Sequence, residues 1–493
     1  MHSTETLHTL PDQSRQDAVF ERLRRGILAG TFAPGARLPA TRAMAEEFGA
    51  ARQTVVLAYE RLAAEGYVRA KIGSGTYVAT DLPDVPPQTI SLPHSTAPAL
   101  SRRGTKIAAT PSHAVQTHNL PPVAGASQLL APGIPAPDLF PAQAWASATA
   151  RALRALPPGL TGYPDPQGLP ELRAEIAAHL AATRGVIAPA ERIVITAGTQ
   201  QALRIAAELV LDPGDTAWVE DPGYIAGRGA LHAAGANLCP IPSDTEGLDV
   251  AAGIALAPDA RLALVAPSHA TPLGGALPIG RRLALLGWAA RAGAWLLEDD
   301  CDSEFRWEGK PLPPLASLDQ TGSNQAGRVI YCGTFSKTLA PALRLGFAVL
   351  PPPLIAAFVR ARTLTDRGPP VIMQATLAAF MQAGLLAPHI RRMRTEYARR
   401  RTALLTALTR HCPAVTPIAA PGGLHMVVTL PQGTDDVAIA QRARARGLAV
   451  LPLSAYFVGT ARQSGLVIGF ATTETVLAED SARRLQAVIQ ANG

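Results

Sequence analysis

The stretch GTFSKTLAPALRLGF, Gly333 to Phe347, carries the decisive reading of this 493-residue chain. It sets a lone Lys337 directly after Ser336 and places Arg344 seven residues further on. The run VIYCG precedes it and the apolar LAPAL follows, so the amine is drawn toward an interior rather than left as a solvated surface charge. A free amine held in such a place is a nucleophile toward a carbonyl group. Arginine is the side chain whose planar fork matches phosphate oxygens. Together they ask for a ligand with a carbonyl at one end and a phosphate at the other.

Outward from this stretch, short apolar runs (IVITAG, AWVED, LALVAP, AWLLEDD) alternate with amphipathic ones such as GLPELRAEIAAHLAAT and GRRLALLGWAARAG. Strands alternating with helices of that length predict βα units, hence an α/β fold with a mainly parallel sheet. Three further motifs fall into this pattern. Gly198 and Thr199, in AGTQ, follow a strand and open a helix, whose free amides and positive dipole end suit a phosphate. Tyr224, in EDPGYIAG, can stack on a flat heterocycle, although a lone tyrosine is more often a core residue. Asp299, in LLEDDCDSEF, ends an apolar strand, where a carboxylate can hold a protonated pyridine nitrogen. An acidic cluster can also bind Mg²⁺, but neither a phosphate-loop lysine nor a partner metal ligand accompanies this one, and no metal is expected. Phosphate turn, aromatic ring, carboxylate, then Ser-Lys with its arginine point to pyridoxal 5'-phosphate, with Lys337 as its Schiff-base lysine.

The front of the chain reads differently. VFERLRRGILAG puts Phe20, Leu23 and Ile27 at helical spacing with Gly30 as a stop. A second helix is predicted from about Ala40 to Phe48, a turn at Gly49, and a third helix from near Ala51 to Glu65. In a helix-turn-helix the front of the second motif helix enters the major groove. That places Arg52, Gln53 and Thr54 nearest the base edges. Arg42 is placed to hold a phosphate, and Lys71, Gly73 and Ser74 lie in a hairpin able to approach the DNA backbone. A small helical packing domain with ordinary surface arginines is the plainer alternative.

Composition separates these two zones. From Thr80 to about Ser127 the chain is rich in Pro, Ser, Thr and Ala, which predicts a semi-rigid linker. The expected domains are therefore 12–80, a linker over 81–127, and 128–493. Four scattered cysteines without metal spacing fit reduced thiols. No apolar run reaches the roughly 18 to 20 residues of a membrane helix, and the N-terminus lacks a basic-then-apolar leader. A cytoplasmic protein without membrane attachment is expected. The net charge of +7 permits nucleic-acid binding. Residues 1–80 hold ten Lys/Arg against eight Asp/Glu, so a DNA footprint must be a local patch.

Through PGARLPATRAMAEEFG, ARQTVVLAYERLAAEGYV and GSGTYVA the front resembles the GntR family of winged helix-turn-helix domains. The resemblance implies that Arg42, Arg52 and the wing glycines face DNA; Val56 departs from it where some members carry a further arginine. From about Leu129 onward the ordered motifs resemble fold-type I, class I aminotransferases. The whole chain, through EDDCDSEFRW, GTFSKTLAPALRLGF and HIRRMRTEYARRR, is similar to MocR/GabR-type transcriptional regulators.

That resemblance implies a large domain plus a smaller C-terminal α+β subdomain. It also implies a cofactor linked to Lys337, stacked on Tyr224, with its ring nitrogen on Asp299 and its phosphate on Gly198, Thr199, Ser336 and Arg344. Tyr163, in GYPDPQG, resembles the tyrosine that reaches the neighbouring subunit's cofactor phosphate, which implies a head-to-tail homodimer. Three departures accompany it. Cys301 stands where the subfamily usually has a tyrosine near the ring hydroxyl. Thr271 replaces the asparagine of Asn-Pro-x-Gly. The last strand, GLVIGFA, lacks the carboxylate-binding arginine, for which Arg462 is the nearest candidate. The implied function is a regulator that binds operator DNA with repeated or palindromic half-sites and responds to an amine effector or to pyridoxal phosphate itself. A working aminotransferase with an accessory DNA module, and a vestigial site serving only dimerisation, are the alternatives.

Overall fold

The computed structural model describes residues 15–71, 73–82, 100–109, 129–155, 162–309, 312–319, 327–418 and 420–491. The chain divides into two compact units, Met1–Ala99 and Leu100–Gly493. In the first, α1 (Arg15–Leu28), α2 (Thr41–Phe48) and α3 (Arg52–Ala64) precede an antiparallel hairpin of β1 (Val68–Lys71) and β2 (Gly75–Val78). Phe20, Leu23 and Ile27 are buried on one face of α1, packed with Met44, Val55, Leu62 and Val78. Gly49 ends α2 at φ 58°, and from there its amide reaches back to the carbonyls of the last turn. That backbone conformation favours glycine and makes the tight corner between α2 and α3. The unit is a winged helix-turn-helix.

The second unit opens with α4 (Arg102–Ala109), inside the stretch expected to be linker throughout. Arg103 bonds the carboxylate of Glu208 and the carbonyl of Ala233. Composition averaged over the whole spacer hides this short helix. Helices α5 (Ala142–Ala155), α6 (Pro170–Arg184), α7 (Thr199–Val210), α8 (Ile225–Ala234), α9 (Val250–Leu256), α10 (Ile279–Ala292), α11 (Leu315–Leu318), α12 (Pro352–Thr365) and α13 (Val371–Gln382) surround the main sheet. Its strands are β3 (Ile193–Thr196), β4 (Thr216–Asp221), β5 (Asn237–Asp244), β6 (Gly247–Leu248), β7 (Leu262–Val265), β8 (Trp295–Asp299), β9 (Val329–Thr334) and β10 (Gly346–Val349). They lie in the order β3-β10-β9-β8-β7-β4-β5-β6. In this order the pairs from β9 to β5 are parallel, while β6 runs against β5 and β10 runs against both β3 and β9.

Alternation along the strands sends neighbours to opposite faces. Ile193, Ile195, Leu296, Tyr331 and Phe347 pack under α5, α6, α10 and α13. Val194, Leu297, Ile330, Cys332 and Ala348 pack against α7, α8 and α12. Burial on both faces explains why these strands read as continuous apolar runs rather than as alternating ones. The C-terminal part contains α14 (Leu386–His411), α15 (Asp436–Ala445) and α16 (Ala478–Gln490). They pack on an antiparallel sheet, ordered β11 (Thr416–Ile418), β12 (His425–Thr429), β14 (Gly465–Gly469), β13 (Leu451–Pro452). Among the described residues no single helix is long and apolar enough to cross a membrane.

Candidate functional site

Strand register brings distant motifs together. Thr196, Gly346 and Thr334 stand side by side across β3, β10 and β9. Gly198 and Ser336 lie two residues past the ends of β3 and β9. Because β10 runs the other way, Arg344, two residues before Gly346, reaches the same edge. Gly198 caps α7 at φ 105°, and a Cβ there would meet the Arg344 guanidinium at 3.3 Å. Arg344 itself takes the left-handed conformation at φ 51°. Thr334 donates its hydroxyl to Ser336 Oγ at 3.0 Å and accepts from the Ser336 amide at 3.1 Å, which fixes that residue. The corner thus gathers a helix N-terminus, a hydroxyl and a guanidinium.

Beside it is a cavity at the carboxyl ends of the parallel strands, where open α/β sheets place their ligands. Tyr224 after β4, Thr271 after β7, Asp299 at the end of β8 and Lys337 after β9 all line it. Lys337 is half-buried and donates from Nζ to the carbonyl of Gly133. A Cβ on Gly133 would lie 3.0 Å from that nitrogen. The segment carrying Gly133 is pinned to the small sheet. The Ala449 amide donates to the Leu129 carbonyl at 2.7 Å, and the Gly469 amide to that of Leu130 at 2.8 Å.

Burial dominates the electrostatics. It pushes the Asp299 carboxyl up to about 7, against the pull of the Cys301 thiol and the nearby Lys337 amine. Cys301 donates to Asp299 Oδ1 and lies 3.3 Å from the Thr199 hydroxyl. Burial also holds the thiol well above its usual range, so it stays protonated. Asp300 is neutralised by a two-point pair with Arg184 at 2.9 and 3.1 Å. Burial and the neighbouring Asp300 raise Glu298 to about 7, while it accepts the amides of Leu315 and Ala316. Asp299 therefore stands as a buried acid whose one side-chain donor is a weak one, a ready partner for a protonated ring nitrogen.

Of the positions picked out from the sequence, Tyr224, Thr271, Asp299 and Lys337 share the cavity, and Gly198, Thr199, Ser336 and Arg344 adjoin it. Tyr163 lies outside, 81% exposed and stacked under Arg367 at 4.5 Å. Arg462 does not reach the cavity: it pairs with Asp221 at 3.3 Å and lines a separate cleft with Phe457 and Gln463. Among the described residues no arginine lines the cavity. Pro132, Gly133, His269, Asp302, His425 and Tyr456 also line it and were not anticipated. Asp302 lies in the LLEDDCDSEF stretch read for Asp299 alone, and the others stand in no stretch that marks them locally.

In the first unit Arg42 is exposed in the first turn of α2, and Arg52 and Gln53 are exposed in that of α3, with Thr54 half-buried beside them. Lys71 lies over the Tyr77 ring at 5.0 Å, and Gly73 turns the hairpin at φ 74° next to exposed Ser74. Arg37 packs its guanidinium on Gly75, where a Cβ would meet it at 2.7 Å. Arg61 is held elsewhere, by Asp17 and Glu65 and over the ring of Phe20.

Residues 130–484 match the family described as aminotransferase class I and II, and residues 15–78 match bacterial regulatory proteins of the gntR family. The chain is 38% identical over 454 residues to "Probable rhizopine catabolism regulatory protein MocR" of Rhizobium meliloti, covering 92% of this chain and 89% of that one. It is 34% identical to the "HTH-type pyridoxine biosynthesis transcriptional regulator PdxR" of Corynebacterium glutamicum, over 95% and 94% of the two. Among solved structures it resembles LysN, an alpha-aminoadipate aminotransferase from Thermus thermophilus complexed with N-(5'-phosphopyridoxyl)-L-leucine. There the TM-score is 0.72 and the identity 28%, over 80% of this chain and 97% of that one.

Proposed function

The chain belongs to the MocR-type regulators, a gntR-family domain joined to an aminotransferase class I and II domain, and we propose that it is a transcription factor governed by pyridoxal 5'-phosphate. The observation that carries this reading is that Lys337 and Asp299 share one cavity beside the Gly198–Arg344 corner, on a chain that also bears a winged helix-turn-helix.

The residues present fit the cofactor. The under-partnered buried Asp299 suits a protonated pyridine nitrogen, Tyr224 offers a ring face, and the corner offers amides, a hydroxyl and a guanidinium to a phosphate. When bound, pyridoxal phosphate supplies an aldehyde that condenses with amines. Lys337 is the amine placed to hold it, with Gly133 orienting Nζ. Cys301 steadies the Asp299 carboxylate, and Tyr224 limits tilt of a bound ring. Tyr163, exposed on its own chain, is assigned to the phosphate of a second copy, so the complete site is a head-to-tail homodimer. Two-fold pairing of the DNA units calls for repeated or palindromic half-sites. Arg52, Gln53 and Thr54 read bases, while Arg42 and the Lys71–Ser74 hairpin hold phosphates. The effector is an amine or the cofactor itself, and the protein works in the cytoplasm. A coupling of roughly 1 to 3 kcal/mol between the sites is sufficient for a switch.

The cavity's lack of an arginine weighs against a dedicated aminotransferase acting on ordinary amino acids. Footprinting on the protein's own upstream DNA, with and without pyridoxal phosphate, tests the reading. Cofactor-dependent protection is expected. Borohydride reduction followed by peptide mapping should leave a pyridoxyl group on Lys337; its absence there refutes the assignment, and sustained keto-acid formation from an amine donor favours the enzyme.

A further inference from the structure

From the geometry beside this cavity we infer that His269, Asp302 and His425 form a site for one divalent transition-metal ion of the zinc type. The three come from separate elements: the loop after β7, the loop after β8, and β12 of the small sheet. Each is at most 9% exposed, and one ligand atom from each lies within 4.8 Å of the others. Zinc bonds of about 2.1 Å in a tetrahedron put ligand atoms about 3.4 Å apart, so closure asks for a contraction of up to about 1.4 Å.

Two independent observations point to a ligand here. Oδ1 of Asp302 is buried with no hydrogen-bond partner, and neither ring nitrogen of His269 makes a well-formed hydrogen bond, its nearest approach to one being to the Gly274 backbone. Buried polar atoms are otherwise almost always paired, so this cluster of orphans is a place made for something else. His425 is already oriented: its Nε2 lies 3.0 Å from the carbonyl of Pro272, which can only accept. That nitrogen carries the proton and Nδ1 keeps its lone pair, the arrangement by which metal-binding imidazoles are held. The His269 ring packs closely on backbone, since a Cβ on Gly423 would lie 2.1 Å from its Nε2 and one on Gly274 3.1 Å from its Cε1.

Two imidazoles and a carboxylate suit borderline divalent ions, and the Asp302 charge offsets the positive Arg306 nearby. Because all three side chains line the cavity, the remaining coordination position faces it. The ion would tie the two sheets together across the ligand space. It would also supply a positive charge to a wall that carries no arginine, matching an anionic group on a small molecule.

The test takes the full-length protein, stripped with chelator and without added pyridoxal phosphate, and titrates it with zinc and separately with cobalt. Calorimetry should give one ion per chain, and cobalt should develop the visible absorption of nitrogen and oxygen ligation. Loss of an outer-shell partner alone costs about 10- to 100-fold in metal affinity, so His269→Gln, Asp302→Asn and His425→Gln should each lose about 100-fold or more. Cys239→Ser, a free thiol outside both the cluster and the cavity lining, should bind as the wild type does. Thermal melts of the metal-free variants separate lost ligation from lost folding. Absence of stoichiometric binding by the wild type, or affinity unchanged in all three variants, overturns the inference. The readout needs no cofactor, so it stands or falls apart from the pyridoxal reading.

Discussion

A Cβ on Gly198 would stand 3.3 Å from the guanidinium of Arg344, so the two residues fit each other with no room for a side chain between. Gly198 also sits at φ 105°, which costs an L-residue about 1 to 3 kcal/mol. Gly198→Ala should therefore weaken pyridoxal phosphate binding by about 10-fold or more, while the far-ultraviolet circular dichroism stays unchanged. Titration of the metal-free protein with cofactor, followed by absorbance, measures it; wild-type affinity would remove the phosphate role of this corner.

Arg52 and Arg61 lie on the same helix with opposite expected roles. Arg52 is exposed in the first turn of α3, whereas Arg61 is occupied by Asp17 and Glu65. Arg52→Ala should cost about 1 to 3 kcal/mol of operator binding and relax selectivity at one base position. Arg61→Ala should leave operator selectivity intact and lower the melting temperature of the first unit. Fluorescence anisotropy on operator and scrambled duplexes distinguishes them.

Gly469 holds the 129–133 segment against the small sheet. A Cβ there would lie 1.9 Å from the carbonyl oxygen of Ala131, so Gly469→Ala must displace the 129–133 segment from β14. The expected cost is on the order of 1 to 3 kcal/mol of stability. Gly133 would move away from Lys337 with it, so cofactor binding should weaken in parallel. A melt unaffected by the substitution would show that the segment is not clamped there.

Burial raises the Glu220 carboxyl from 4.5 to about 8. Its folded value exceeds its unfolded one, so the stability tied to its proton is fully present below pH 4.5 and is lost as pH rises through about 8. Glu220→Gln keeps the shape without the charge. The variant should exceed the wild type by on the order of 1 to 3 kcal/mol above pH 8 and lose that advantage below about pH 5. Denaturant melts across this range check the sign.

Much was legible before any coordinates. The helices of the first unit show as apolar spacing around Phe20, Leu23 and Ile27, and the sheet as short apolar runs ending in Thr196, Asp221, Asp299 and Thr334. Lys337, Asp299, Tyr224 and the Gly198 turn follow directly from those strand ends, because in a parallel sheet one edge collects every strand's carboxyl end. Helix α4 was not legible: its eight residues sit in a spacer whose composition conceals them.

What the sequence determined by itself, helix α4 apart, is local: helical period, strand runs, turn glycines, and side chains carried at a fixed offset from a strand end. The tertiary structure alone decided which residues close the space around them. His269, Asp302 and His425 meet though no two of them are near each other in sequence, Gly133 covers Lys337 from about 200 residues away, and Arg462 turns to Asp221 rather than into the cavity. The reason is physical: propensity and periodicity act over a few residues, whereas a cavity wall is set by packing between elements whose contacts leave no mark on the local pattern.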